Sequence, residues 1–238
     1  MNRMTAGAVG AVSAAAGLAA GYRVLAREKC LHWGASAEEA ARAMPGDGLL
    51  PEPDVATTRA VTISAAPEAI WPWLVQIGPG RGGAYTYDWI ENLMGLDMHS
   101  ADEILPQFQG LAAGDVTALG EKGPRMRVAV LDPGHALVFV SEDHHWVWAF
   151  GLYPAAEGTR LVSRNRITVP GNGPVRRLAW SLVMEPGSLV MERKMLLGIK
   201  ERAERTPLPP SSLLVTNGPE QRSESPYAPA VVTRTLEI

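Results

Sequence analysis

VTISAAPEAIWPWLVQIG, residues 61–78, changes its periodicity half-way along. Val61 and Ile63 fall on one side of an extended chain and Thr62 on the other, as in a β-strand. After Ala65 the spacing changes. Ile70, Trp73, Leu74 and Ile77 recur at i, i+3, i+4 and i+7, which marks one buried face of a helix. Ala66 and Pro67 suit the helix start, and Glu68 favours the positive end of its dipole. Pro72 falls within the first turns. Gly78 ends the helix and Pro79 forbids its continuation. The stretch therefore reads as a strand that turns directly into a helix.

A second short helix follows in YTYDWIENLMGL, with Trp89, Leu93 and Leu96 at apolar spacing. Beyond an irregular acidic piece the texture becomes that of strands: DVTAL, RMRVAVLD, HALVFVS, HWVWAFGLYP and TRLVSRNRITV, separated by short Gly/Pro/Asp turns. Short strands joined by short turns imply an antiparallel meander. Helix returns in GPVRRLAWSLVM and SLVMERKMLLGIKERAER, with a kink or division expected at Pro186-Gly187. The order predicts an α+β fold, a curved antiparallel sheet of six to seven strands wrapped around a long C-terminal helix. Two short helices follow the first strand.

The 238 residues carry a net charge of −3 and are 46% hydrophobic, enough for one domain with a sizeable core. No long basic block appears, so nucleic acid is not an expected partner. The single cysteine, Cys30, builds no disulfide framework. From Met4 to Tyr22 there is no charged side chain over 19 residues, close to the ~20 of a membrane-spanning helix. The segment reads as a single-pass anchor, with a cleaved signal peptide and a soluble Ala-rich helix as the alternatives. Arg23, Arg27 and Lys29 outnumber Arg3 across it, which favours a cytoplasmic main domain; signal cleavage would instead give a secreted one. The boundaries expected are 1–30 for this segment, 31–56 for a short helix capped by Ser36 with an extended linker, 57–206 for the main domain, and 207–238 for a disordered tail.

That order of elements resembles the helix-grip fold of the START/polyketide-cyclase/pollen-allergen superfamily. Residues 61–78 look like its first strand and first helix. WGASAEEAARAMPGD, GRGGAYTYDWIENLMGLDMHSADEI and MERKMLLGIKERAE are similar to actinobacterial SRPBCC-type proteins with an N-terminal hydrophobic segment. The resemblance spans about residues 31–204 and implies a fold shared by lipid carriers, receptors and cyclases. It carries no catalytic set with it.

Function has to be read from side chains. Gly78, Gly80 and Gly83 spell G-x-G-x-x-G, but a dinucleotide fingerprint follows a strand and opens a helix, whereas these follow a helix. The expected role is a loop at a cavity mouth, with Arg81 available to an anionic headgroup or carboxylate. Trp146, Trp148 and Phe150 alternate onto one strand face, and Tyr85, Tyr87 and Trp89 sit on or beside the second short helix. Such aromatics suit the wall of an apolar cavity. His99 and Asp102 lie close in sequence and, with Tyr85, form the acid/base set that a cyclase or dehydratase acting on a polyketide-like substrate needs. Otherwise His99 serves the ligand cavity or bonds its own loop. Arg160, Arg164 and Arg166 share strand parity: they form either a solvated basic face, paired with helix acids such as Glu185 or Glu192, or, through Arg164 or Arg166, a contact to an acid group of the ligand. His144 and His145 are strand neighbours and point to opposite faces, so no metal site is expected, and no cofactor either. The leading expectation is a membrane-associated domain holding a small hydrophobic or amphipathic, lipid-like ligand. The enzyme is the alternative, and a structural or regulatory protein with a filled core is the second.

Overall fold

The computed structural model describes residue 17, residues 20–120, 123–169, 171 and 173–205. The expected tail and most of the uncharged N-terminal segment lie outside these residues. Among the described residues no helix is long and apolar enough to cross a membrane.

Six strands form one antiparallel sheet: β1 Val55–Ile63, β2 Val116–Ala118, β3 Arg125–Asp132, β4 Ala136–Ser141, β5 Trp146–Ala155 and β6 Gly158–Ile167. Their spatial order is β1-β6-β5-β4-β3-β2. The meander β2 to β6 is sequential, and β1 closes the far edge against β6, from Val55 opposite Ile167 to Ile63 opposite Thr159. A register shift between Val128 and Val130 adds a bend on the β3 side. This is the curved antiparallel α+β arrangement that the sequence predicts.

Among the described residues, six α-helices with defined bounds accompany the sheet: α1 Arg27–Leu31, α2 Ala37–Ala41, α3 Pro67–Val75, α4 Asp88–Leu93, α5 Pro174–Ala179 and α6 Glu185–Arg205. Pro67 opens α3 at its first positions, where a missing N–H is harmless. On α6, Met195, Leu196, Ile199 and Ala203 are buried against Ile63, Ile70, Leu74, Phe150 and Leu161. Pro186 does not divide the helix. The chain passes through a π-helical turn, Trp180–Met184, and α6 then runs on from Glu185. A proline removes one helical donor, and a widened turn just before it absorbs the mismatch.

Residues 31–56 do more than link. Met44 packs on Ala60 and Val162, and Leu50 on Val138, Val140, Val147 and Ala149, so this segment covers the outer face of the sheet. Arg160, Arg164 and Arg166 point into it, and their shared parity is as expected. Their partners are not Glu185 and Glu192, however. Arg160 pairs with Glu39 at 2.7 Å. Arg164, 4% exposed, pairs with Asp47 at 2.8 Å and also donates to Thr58 Oγ1 and to the carbonyls of Glu39, Ala40 and Arg42. Arg166 donates to the carbonyls of Leu50 and Pro51.

Candidate functional site

Between the concave face of the sheet and α6 lies a cavity of about 700 Å³. The core is therefore not filled. The volume falls inside the range of small-molecule sites. Val55, Thr57, Asn165 and Ile167 of the paired strands β1 and β6 form its floor. Trp146 and Trp148 of β5 form one wall, and Met184, Met191 and Met195 another. Ala84, Thr86 and Glu91 close a third side.

The tryptophan wall is built by strand parity and held by a polar network behind it. The rings of Trp146 and Trp148 stack with centroids 5.9 Å apart and planes 20° from parallel. Trp146 Nε1 donates to Asn165 Oδ1 at 2.8 Å, and Trp148 Nε1 to Ser163 Oγ at 3.2 Å. Ser163 Oγ and Asn165 Nδ2 both donate to Glu192 Oε1 on α6. Glu192 Oε2 in turn accepts from the fully buried Arg59. Arg59 is completed by the Cys30 carbonyl and Ser188 Oγ. One carboxylate thus ties helix, strands and both indoles together, with its charge paired and its lone pairs used.

The third side depends on an unusual backbone. Tyr85 sits at φ 57°, a left-handed conformation that is uncommon for a non-glycine residue. Its hydroxyl donates to the Trp73 carbonyl at 2.9 Å, its ring meets Trp73 edge-on, and the guanidinium of Arg202 lies over its face. Burial pushes its hydroxyl pKa well above the ordinary tyrosine value. Gly198 makes this packing possible: a Cβ there would lie 2.6 Å from the Tyr85 carbonyl oxygen. With Tyr85 held in the core, Ala84 and Thr86 on either side of it reach the cavity.

The residues singled out in the sequence separate into groups. Trp146 and Trp148 line the cavity, whereas Phe150 packs against Trp148 in the core without lining it. Tyr85 is a buried buttress. Tyr87 is half-buried at the start of α4, and Trp89 is 70% exposed on that helix. Arg164 faces the outer layer, so it is not placed to bind a ligand in the cavity. Arg81 is not in the wall either: it folds back on the carbonyls of Val75 and Phe108 and stacks on the Phe108 ring.

The glycine motif is a closed turn. Gly78 and Gly83 exchange backbone hydrogen bonds, and the Arg81 and Gly82 amides go to the carbonyls of Gly78 and Gln76. Those amides are spent inside the loop, so it does not cradle a phosphate. The acid/base set does not converge. His99 is exposed beside Asp97, Asp102 is exposed and bonds Arg202, and the Tyr85 hydroxyl points at Trp73. Tertiary packing decides these orientations, and spacing along the chain does not report it. Among the described residues no cluster of metal-ligating side chains occurs.

Two features of the wall were not singled out in the sequence. One is the Arg59–Glu192 pair. Its signal was present, because Arg59 shares parity with Val61 and Ile63, which places a basic residue on the core face. The other is Glu91, 94% buried by its 6% exposure, whose Oε2 has no hydrogen-bond partner of normal geometry. Burial, together with the Asp88 carboxylate one turn earlier, pushes its carboxyl above the usual carboxylate range; the neighbouring Thr86 hydroxyl offsets part of this.

No protein-family model matches the chain, and none of the curated proteins does. Solved structures do. A polyketide-cyclase-like protein from Corynebacterium glutamicum is 13% identical and aligns over 63% of this chain and 91% of its own, with a TM-score of 0.41. The KanY protein is 18% identical over 63% and 97%, with a TM-score of 0.43. An AHSA1-like protein from Aeromonas hydrophila is 15% identical over 63% and 92%, with a TM-score of 0.34.

Proposed function

We propose that this domain binds a small hydrophobic or amphipathic, lipid-like ligand in the cavity between sheet and α6, at a membrane to which the uncharged N-terminal segment holds it. The cavity of about 700 Å³ carries the reading. The apolar part of its lining is tryptophan, methionine, valine and isoleucine, which suits an apolar body, and it stands beside polar residues such as Thr57, Asn165 and Glu91. Methionine adapts its shape to what it contacts.

The placement of the N-terminal helix supports a membrane source for the ligand. Tyr22, where the uncharged stretch ends, donates its hydroxyl to Glu185 at 2.9 Å. Arg27 binds the same carboxylate through Nε and a terminal nitrogen. Glu185 is itself a residue of the cavity wall, so the end of the apolar stretch sits against the cavity. Val24, Leu25, Val183, Met184 and Val190 are exposed in these elements. Apolar side chains of this kind, interspersed with Arg23, Arg176 and Arg177, suit the interface of an anionic bilayer.

The test is to purify the full chain from cells that make it, extract it with organic solvent and weigh the extract by mass spectrometry. An amphiphile present at near-stoichiometric level is expected. It should be absent from a variant whose cavity is filled by Met191→Trp. An extract empty of any such molecule, from protein that also takes up no added amphiphile, overturns the reading.

A further inference from the structure

The cavity wall contains a charge imbalance that specifies the head of its ligand. Four of the lining residues are acidic: Glu91, Asp143, Glu185 and Glu192. Glu192 is neutralised by Arg59, and Glu185 by Arg27. Asp143 accepts from Ser141 Oγ and the His145 amide and lies beside the His145 ring. Glu91 alone among these four has no cation within ion-pairing distance among the described residues, although it is the carboxyl of α4 that the fold buries. Beside it lies the Thr86 hydroxyl, which leans on the same carboxyl, and Thr57 Oγ1 on the floor is buried without a hydrogen bond. Buried charges are almost always paired in a finished structure, so a carboxyl in a cavity wall with no cation indicates what the cavity receives.

The complementary observation concerns basic groups. No lysine or arginine occurs among the described lining residues. Of the guanidiniums that meet lining carboxylates, Arg59 has its donors committed to Glu192, Ser188 and Cys30, and Arg27 binds Glu185. Arg81 and Arg164, the two arginines best suited by sequence to an anionic head, are bound elsewhere. A carboxylate or phosphate entering this cavity would lose its hydration, find no lysine or arginine among the described lining residues and meet Glu91.

Resting on the proposed binding role, we infer that Glu91, with Thr86 beside it, selects an amphiphile whose polar end donates hydrogen bonds, an alcohol or an amine, and rejects acids. An alcohol is accepted by the carboxyl in either protonation state. An amine supplies the cation that Glu91 lacks and holds it ionised.

The test uses the full chain in phospholipid nanodiscs, with decylamine, decanol and decanoate as probes and tryptophan fluorescence as the readout of binding. Partitioning of each probe into the lipid is common to all forms of the protein, so wild type and Glu91→Gln are compared directly. Glutamine keeps the side-chain volume and removes the unpaired acid, which spares the fold. The wild type is expected to bind decylamine or decanol, or both, roughly tenfold or more above decanoate. In Glu91→Gln the amine should lose about tenfold and the gap to decanoate should narrow. An amine ahead of the alcohol assigns a charged head; parity between them assigns a hydroxyl. Equal binding of all three probes, unchanged by Glu91→Gln, overturns the inference and leaves the cavity role standing. Decanoate binding tightest also overturns it. Failure of all three to bind overturns both.

Discussion

Replacing Arg59 by methionine tests the network behind the tryptophan wall. Arg59 is fully buried and Glu192 is 7% exposed, so neither charge has water to fall back on. Methionine retains the apolar stem and removes the guanidinium. Glu192 then keeps only the donors of Ser163 and Asn165, and its charge is buried without a cation. Breaking a buried pair from one side costs about 3–5 kcal/mol. Glu192→Gln should cost about as much, because the buried Arg59 loses its counterion and, with the amide oxygen accepting from Ser163, the amide NH2 is set against a guanidinium N–H. The double replacement, Arg59→Met with Glu192→Met, removes both charges together. Its cost should fall short of the sum of the Arg59→Met and Glu192→Met costs by about 1–3 kcal/mol. Guanidinium unfolding of the full chain, followed by tryptophan fluorescence and compared at constant m-value, measures all four variants. A cost below about 1 kcal/mol for Arg59→Met, or strict additivity in the double variant, would refute the claim that this pair holds the wall.

Other predictions concern the surrounding structure. Gly198→Ala should destabilise the protein even though alanine is the better helix former by about 1 kcal/mol, because its Cβ meets the Tyr85 carbonyl; a raised melting temperature would show that α6 can move away. Arg164→Met leaves the Asp47 carboxylate and several carbonyls of the covering segment without their donor, and should cost about 2–4 kcal/mol in the same unfolding assay. The Arg160 guanidinium, helped by the Ser36 amide, draws the Glu39 carboxyl down to about 2. Its folded pKa lies below the unfolded value, so its stabilisation is complete above about 4.5 and is lost as the pH falls toward 2. Melting curves of wild type and Glu39→Gln should therefore differ at pH 7, by on the order of 1 kcal/mol after solvent screening, and converge through that window.

How much of this was readable in the chain depends on where each choice is made. The β1–α3 junction was legible because the change from period 2 to period 3.6 is a local property of residues 61–78. Trp146 and Trp148 were legible as a pair because strand parity fixes which side chains share a face. Parity does not say which face is concave, so the three arginines of β6 were grouped correctly but could not be assigned a side. The covering segment decides it, more than a hundred residues away along the chain. The same limit applies to His99, Asp102 and Tyr85, which are near neighbours in sequence and face different surroundings in space. Arg59 and Glu192 carried a usable signal, a charge at an apolar position of a strand and of a helix. Glu91 carried none, since its burial comes from how the short α4 sits over the cavity.

The network joining Arg59, Glu192 and the two indoles also bears on how the cavity measures a guest. The indole side is a fixed jaw: each ring is held by its N–H, and moving one means breaking a bond that runs through the gripping helix. The methionine side is a yielding jaw, whose unbranched chains change rotamer at little cost. A guest with a flat, rigid portion should therefore seat that portion against the tryptophans, while variation in its flexible part is taken up by Met184, Met191 and Met195. Shape is read on one side and tolerated on the other.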